Sequence, residues 1–325
     1  MNYSIAHKKV VPFLNKKGTK GVNWQKVIKS HFRRLPLEIL NFFINHDWLF
    51  WMIGEINKRI KVIESVFLVY PANEKYALSY VYRHRLPKVM WNPWPCGLLL
   101  QNGKLSLMFC IAASNSQFSD SKNAESLRRV AERVERLRRL FGARGKTFAG
   151  ILPGILYSKR VIREAPEADL TALAVVQAIS SVKVKESLDN ETPIIILGGR
   201  GFIGRRVVKL LEGSIVYCID TVDGENGWPS HLRGNRVIVV NITLNSEIKD
   251  YLWALWPGTV VINEVYPEPT LDILRSLKIR DCSCYHIVGV QASAIPSFPS
   301  AYAGAIPCCA AWPSSDMKVV IRKLN

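Results

Sequence analysis

The stretch ILGGRGFIGRR, Ile196–Arg206, holds four glycines, three arginines and a Phe-Ile pair. Gly199, Gly201 and Gly204 stand in the spacing G-x-G-x-x-G, with Arg200, Phe202 and Ile203 between them. Each glycine has a physical task in that order. Gly199 permits a tight turn, and Gly201 lets the main chain approach a pyrophosphate. Gly204 lets the following helix pack close to the preceding strand, with its N-terminal amides aimed at the phosphates. The chemistry implied is the binding of a dinucleotide by backbone N–H groups. Asp220 lies 21 residues after Gly199, close to the ~20 expected of the acid that bonds the adenosine ribose. A carboxylate there repels the 2′-phosphate of NADP and points to NAD. Arg200, Arg205 and Arg206 are near enough to admit NADP as well.

These residues need elements to hold them. Pro193–Leu197 is a short, continuously apolar run, as a strand buried on both faces requires. RRVVKLLEG reads as a helix stopped by Gly213, and Ser214–Ile219 as a second strand leading into Asp220. Arg236–Thr243, Thr259–Asn263 and Cys284–Val290 read as further strands, the last of the chain. Ser246–Leu255 and Thr270–Leu277 read as the helices between them. Alternating strands and helices with short links predict a doubly wound parallel sheet over residues 193–325. Only 16 residues separate Asp220 from Arg236, so one strand–helix pair is abbreviated. Ligands of such sheets lie beyond the carboxyl ends of the strands, which selects Asp220, Asn241, Thr243, Asn263 and Glu264. Asn263 and Glu264 either stand near a nicotinamide or substrate, or cap a turn.

Other reactive side chains have two readings each. Cys308 or Cys309 could serve as a thiolate nucleophile in acyl or aldehyde reduction, or form an inert buried pair. His286 could be a general acid/base or a hydrogen-bonded core histidine. Cys282, Cys284 and His286 alternate on one strand face, but no recognised zinc spacing is present and no metal is expected. FAGILPGILYSKR places Gly150, Pro153, Tyr157 and Lys159 at a strand end. Lys159 there could orient a substrate carbonyl or carboxylate, or be a surface lysine. Pro296, Pro299 and Pro307 shape the segment after Val290 into a loop that could close over the cofactor.

Ahead of the glycine loop lies more than half of the chain. Of the 325 residues, 1–192 carry 31 Lys+Arg and 15 Asp+Glu, whereas 193–325 carry 13 and 11. The first 34 residues hold nine basic side chains and no acidic one. Residues 1–35 read as a basic arm. The basic half would attract a polyanion such as nucleic acid, anionic lipid or an acidic carrier protein, or be a solvated basic surface. Residues 36–60 read as an apolar helix, buried or interfacial, interrupted by too many polar groups to span a membrane. Strands are predicted at Val62–Tyr70, Tyr76–Arg83, Gly97–Gln101 and Leu105–Ala113, with Asn102–Gly103 as a hairpin turn. A helix over about Asn123–Phe141 buries Leu127, Val130, Val134, Leu137 and Phe141 at 3–4 spacing. Thr147–Leu156 reads as a strand entering a Gly/Pro turn, and a helix opened by Pro166 runs to about Val182. An α/β unit over 36–185, joined by a polar connector to 193–325, follows. Seven cysteines without an export signal fit no disulfide framework, and a cytoplasmic protein is expected.

The GGRGFIG segment is similar to the opening of extended short-chain dehydrogenases, but no tyrosine after Gly204 has a lysine four places on, and that family is set aside. The domain order resembles two-domain dehydrogenases of the amino-acid and shikimate dehydrogenase type and, more faintly, long-chain acyl-carrier-protein reductases. The resemblance rests on Leu197–Gly204, Asp220 and the order of the units. It implies an NAD(P)-dependent oxidoreductase acting on a small-molecule or acyl substrate in a cleft between the units, with an oligomer possible. Two alternatives stay open: a non-catalytic dinucleotide sensor that binds a polyanion, and an acyl-carrier or acyl-thioester reductase.

Overall fold

The computed structural model describes residues 24–325 except 72, 221–222, 224–226, 244–246, 267, 299–301, 303 and 313–316. Most of the expected basic arm, residues 1–23, and Pro299 of the shaped loop lie outside the described residues. The apolar stretch near the start forms two helices, α1 (Trp24–Ile44) and α2 (Asp47–Ile60), which break at Asn45–His46. β1 (Ile63–Val69) follows, with Val66, Phe67 and Leu68 fully buried.

Tyr76–Arg83, expected as a strand, is instead mostly helix, α3 (Glu74–Tyr80). Its aromatic content favours a strand, but Asn73 caps the first turn by accepting from the Tyr76 N–H at 3.1 Å. The buried pair is Ala77 and Val81, a helical interval that tertiary packing rewards over local propensity. After α4 (Leu86–Val89) comes the expected hairpin, β2 (Trp94–Gln101) and β3 (Lys104–Cys110). Asn102 and Gly103 take φ of 50° and 72°, the pair of left-handed residues that a two-residue turn needs.

α5 (Asn115–Ser119) leads to α6 (Ala124–Leu140), which buries the expected stripe of Leu127, Val130, Val134 and Leu137. β4 (Gly145–Phe148) is shorter than the strand read at Thr147–Leu156. From Leu152 the chain is helical, α7 (Leu152–Ser158), with Pro153 in the first turn, where its missing N–H costs nothing. Lys159 therefore ends a helix and does not stand at a strand end. α8 (Pro166–Lys185) is buried along most of its circumference by small and branched residues, among them Ala168, Ala172, Val175, Ala178 and Val182.

The remaining elements are β5 (Ile194–Leu197), α9 (Gly204–Leu210), β6 (Val216–Ile219), β7 (Ile238–Asn241), α10 (Glu247–Asp250), β8 (Val260–Asn263), α11 (Leu271–Ile279) and β9 (Ser283–Gln291). Three short strands follow where no further strand was expected: β10 (Ser293–Ile295), β11 (Ala305–Ile306) and β12 (Val319–Lys323). They are too short for a periodicity to show. The fold is α/β, with two sheets. The first has the order β10-β2-β3-β1-β4, the second β11-β9-β8-β7-β5-β6, with β12 also on β9. β6, β5, β7, β8 and β9 are mutually parallel, the 2-1-3-4-5 order of a doubly wound sheet. β10 comes from beyond β9 yet closes the edge of the first sheet by pairing antiparallel with β2.

One apolar cluster joins the two sheets. Phe67 and Met108 of the first, Ala174 and Ile179 of α8, and Ile196 and Val240 of the second belong to it. On the other flank of the first sheet, α2 crosses α6 so closely that a Cβ on Gly54 would lie 1.8 Å from the Leu140 carbonyl oxygen. Gly54→Ala is therefore expected to force the helices apart and to cost about 3 kcal/mol. Urea unfolding should show a lowered midpoint with an unchanged slope.

Candidate functional site

The glycine loop leaves the carboxyl end of β5, and the next strands lie on opposite sides of it, β6 on one and β7 on the other. That is the switch point at which open parallel sheets bind ligands. The turn itself falls on Gly198, with φ of 85°, one residue earlier than the spacing implied. Gly199 is required for a different reason: its Cβ would stand 2.7 Å from the Cys218 Cβ on β6. A Cβ on Gly204 would lie 2.0 Å from the Gly198 carbonyl oxygen, so only glycine lets α9 begin against the loop. Gly201 is exposed, and its N–H donates to the Gly198 carbonyl oxygen at 2.9 Å, closing the turn. These residues fit a bound pyrophosphate: the cradle exists because three side chains are absent.

Asp220 follows β6 and faces the loop. Its Oδ2 accepts from the Arg200 N–H at 3.0 Å. Asp223, which the sequence reading did not select, completes the rim. It accepts from the Asp220 N–H at 2.8 Å and from the Arg200 guanidinium at 2.7 Å. The Asp220 N–H and the Arg200 guanidinium hold the Asp223 carboxyl below its ordinary range. Of the three arginines that could favour a 2′-phosphate, Arg200 is thus paired with Asp223. Arg206 is turned away to Asp169 of α8 at 2.8 Å, with its guanidinium over the Phe202 ring. Arg205 is exposed at the start of α9. Phe202 packs against Tyr157 and Gly154 of α7, so the loop abuts the first unit. Ile203 packs against the shared core.

A polar ladder ties the ends of three neighbouring strands. Asn241 Nδ2 donates to Asn263 Oδ1 at 2.8 Å, and Thr243 Oγ1 donates to Asn241 Oδ1 at 2.6 Å. Asn263 Nδ2 donates to the Val265 carbonyl oxygen at 2.6 Å and lies 3.1 Å from His286 Nδ1. Burial holds His286 below its ordinary pKa. It shares a strand face with Cys284, which packs with Ile273 and Leu277 of α11. It is therefore remote from Cys308, which belongs to the cluster around α8.

Beyond β8 the chain presents Glu264, whose N–H donates to the Asn241 carbonyl oxygen at 3.0 Å. The residue is partly exposed, but its carboxyl is enclosed, and desolvation pushes it up to about 7. The short 3-10 turn Cys308–Ala310 packs on α8 and β4. Burial, with the Glu264 charge next in weight, pushes the Cys308 thiol well above its ordinary value. Burial pushes Cys309 up to about 12 despite a hydrogen bond from the Gly150 backbone. Tyr302 is likewise raised by burial and by these thiols. Tyr70 accepts from the Ile151 N–H at 3.0 Å and is pushed up to about 12 by burial.

Glu167, in the first turn of α8, joins this group and was not foreseen. An acid after a helix-opening proline reads as a partner for the helix dipole, and nothing in its spacing reveals that it is 1% exposed. Its Oε1 accepts from the Phe148 N–H at 3.3 Å, while Oε2 has no partner among the described residues. Cys309 thus lies within electrostatic reach of both Glu167 and Glu264, and Cys308 of Glu264, in a desolvated region beside β4 and α8. Lys159, by contrast, is exposed at the end of α7.

Desolvation raises Glu167 from 4.5 to about 7. Between those values the unfolded chain has released a proton that the folded chain still binds, so stability falls as pH rises through the window and levels out above about 7. Glu167→Gln removes that cost. The variant is expected to be more stable than the parent by up to about 3 kcal/mol above pH 7, the difference fading toward pH 4.5. Urea titrations at both ends of the range measure it.

No protein-family model and no curated protein sequence matches the chain. Among solved structures the chain is similar to a shikimate dehydrogenase in complex with NADP+, at 12% identity and a TM-score of 0.39, over 69% of this chain and 84% of that one.

Proposed function

We propose that the protein is an NAD(P)-dependent oxidoreductase whose site lies between the units 36–185 and 193–325. The observation that carries this reading is the glycine cradle at the switch point, where Gly204 admits no side chain and Asp220 stands at the rim. Residues Gly199, Arg200, Gly201, Phe202, Ile203 and Gly204 hold the pyrophosphate, with Gly198 making the turn. Asp220 accepts from the adenosine ribose. Asp220 and Asp223 set two carboxylates against the single Arg200 guanidinium, which favours NAD over NADP. When bound, the nicotinamide supplies hydride exchange with the substrate. Asn241, Thr243 and Asn263 fix the strand ends from which Glu264 projects. Glu264 holds or releases the proton that accompanies hydride transfer, its carboxyl poised near 7 for that purpose. His286 acts through Asn263 as a positioning residue.

The acyl-thioester alternative requires Cys308 as a thiolate, and burial beside Glu264 opposes that form. A reaction that needs no thiolate is favoured, with Cys308 as part of the wall. Activity should survive in Cys308→Ala/Cys309→Ala.

Fluorescence titration with NADH and NADPH tests the cofactor. Saturable binding, tighter for NADH, is expected. Asp220→Ala should weaken NADH about tenfold, by the loss of a hydrogen bond to a charged acceptor, and Gly204→Ala should abolish binding. Absence of binding to either nucleotide would reject the proposal. For Glu264→Gln, NADH affinity should be retained while turnover is lost. In the wild type the oxidation rate should rise as pH passes through about 7, since the carboxylate is the base, and the reduction rate should fall.

A further inference from the structure

The segment read as a buried or interfacial helix is not buried. Along α2, Trp48, Trp51, Met52, Ile56 and Ile60 form one stripe at helical spacing, with Trp48 62% and Trp51 55% exposed. The opposite side of α2, at Phe50, Gly54 and Asn57, is the one packed inward. α1 repeats the pattern with Phe32, Leu35, Ile39, Phe42 and Phe43, the last two 69% and 66% exposed. Exposed apolar stripes of this size mark an interaction site. Where Trp51 of α2 lies beside Leu140 of α6, the surface dips into an open recess of about 600 Å³ rimmed by Arg136, Arg139 and Glu132.

Charge selects the occupant. Residues 24–60 carry six basic and three acidic side chains, and α6 another six and three. The acids of α1 and α2 are all engaged: Glu38 by Arg85, Asp47 by Arg133 and Arg136, Glu55 by Lys58. A second copy would bring the same positive excess. Residues 1–23 hold five lysines and no acid, so they too are of like sign. An anionic occupant relieves the repulsion. Protruding Trp and Phe beside Arg and Lys on helices lying along a surface suit the headgroup–acyl boundary, where rings insert and cations meet phosphate. No helix among the described residues is long and apolar enough to cross a membrane, so these two would lie in the plane.

We propose that the exposed α1–α2 face, with the neighbouring arginines of α6, docks the protein on an anionic lipid bilayer surface. Trp48 and Trp51 enter the boundary, and the recess at Arg136 and Arg139 receives a lipid phosphate.

The test is flotation of the full chain with vesicles of phosphatidylcholine alone and of phosphatidylcholine mixed with phosphatidylglycerol. Binding to the mixed vesicles is expected, at least about tenfold weaker without the anionic lipid and weakened again by added salt. Trp48→Ser/Trp51→Ser, at solvent-facing positions, should keep the circular dichroism and thermal transition of the parent and lose flotation about tenfold or more. Independently of any variant, brominated acyl chains in the mixed vesicles should quench wild-type tryptophan emission. Three results would overturn the proposal: no flotation with anionic vesicles; flotation without quenching and unchanged in the tryptophan variant; or no flotation together with self-association that the variant abolishes, which assigns the face to a second copy. Capture by polyglutamate that blocks flotation, equal in parent and variant, would assign the charge to an acidic protein and overturn it as well.

Discussion

Helix α8 is buried from two sides, and much else in the molecule depends on it. A helix apolar over most of its surface can be satisfied only between two layers. Its alanines let both layers come close, and one continuous cluster runs from Phe67 through α8 to Val240. That packing brings the carboxyl ends of β4 and β8 to a common space. It also carries Glu167 and Asp169 to the two sides of the candidate site, one facing Phe148 of β4 and the other holding Arg206 of α9. The C-terminal segment reinforces the arrangement. It crosses to β2 as β10, returns to β9 as β11, and seats the 308–310 turn on α8. Loss of packing around α8 would therefore be felt at both sheets at once.

The space so enclosed is unusual in what it contains. Carboxyl groups and thiols are taken from water with few protein partners, so burial pushes both carboxyls up to about 7. Desolvation costs stability, and the gain is a proton poised near neutral pH. The same desolvation suppresses thiolates at Cys308 and Cys309. One physical cause thus makes a carboxylate base more useful and a thiolate nucleophile less so.

The sequence revealed those parts in which local pattern and burial coincide. The α6 stripe, the Asn-Gly hairpin and the continuously apolar β5 each follow from one rule applied over a few residues. α3 was misread because its aromatic residues favour a strand while its cap and the Ala77–Val81 interval favour a helix. β10, β11 and β12 were hidden, since strands of two to five residues within a Pro-rich segment are specified by their partners. In the loop, the glycine spacing misplaced the turn by one residue, because G-G-x-G offers two candidates and only the backbone chooses Gly198. The rule for strand ends selected Glu264, which follows β8 with its carboxyl enclosed. Glu167 and Asp223 were not selected, as their roles arise from contacts across the fold.

The distribution of charge is uneven, and the two proposed anion sites give it a physical reason. A pyrophosphate held by backbone N–H groups and a helix start needs no cationic side chain, and the half that holds the cradle is nearly neutral, even placing Asp220 and Asp223 at its rim. The positive excess is concentrated in the other half, together with the two exposed apolar stripes. Were the excess meant for the nucleotide, it would surround the loop; instead Arg206 is drawn off by Asp169 and Arg200 by Asp223. On the two proposals above, one anion is small and read by backbone geometry, the other extended and read by charge and apolar contact, and together they would account for both the sign of the charge and its separation along the chain.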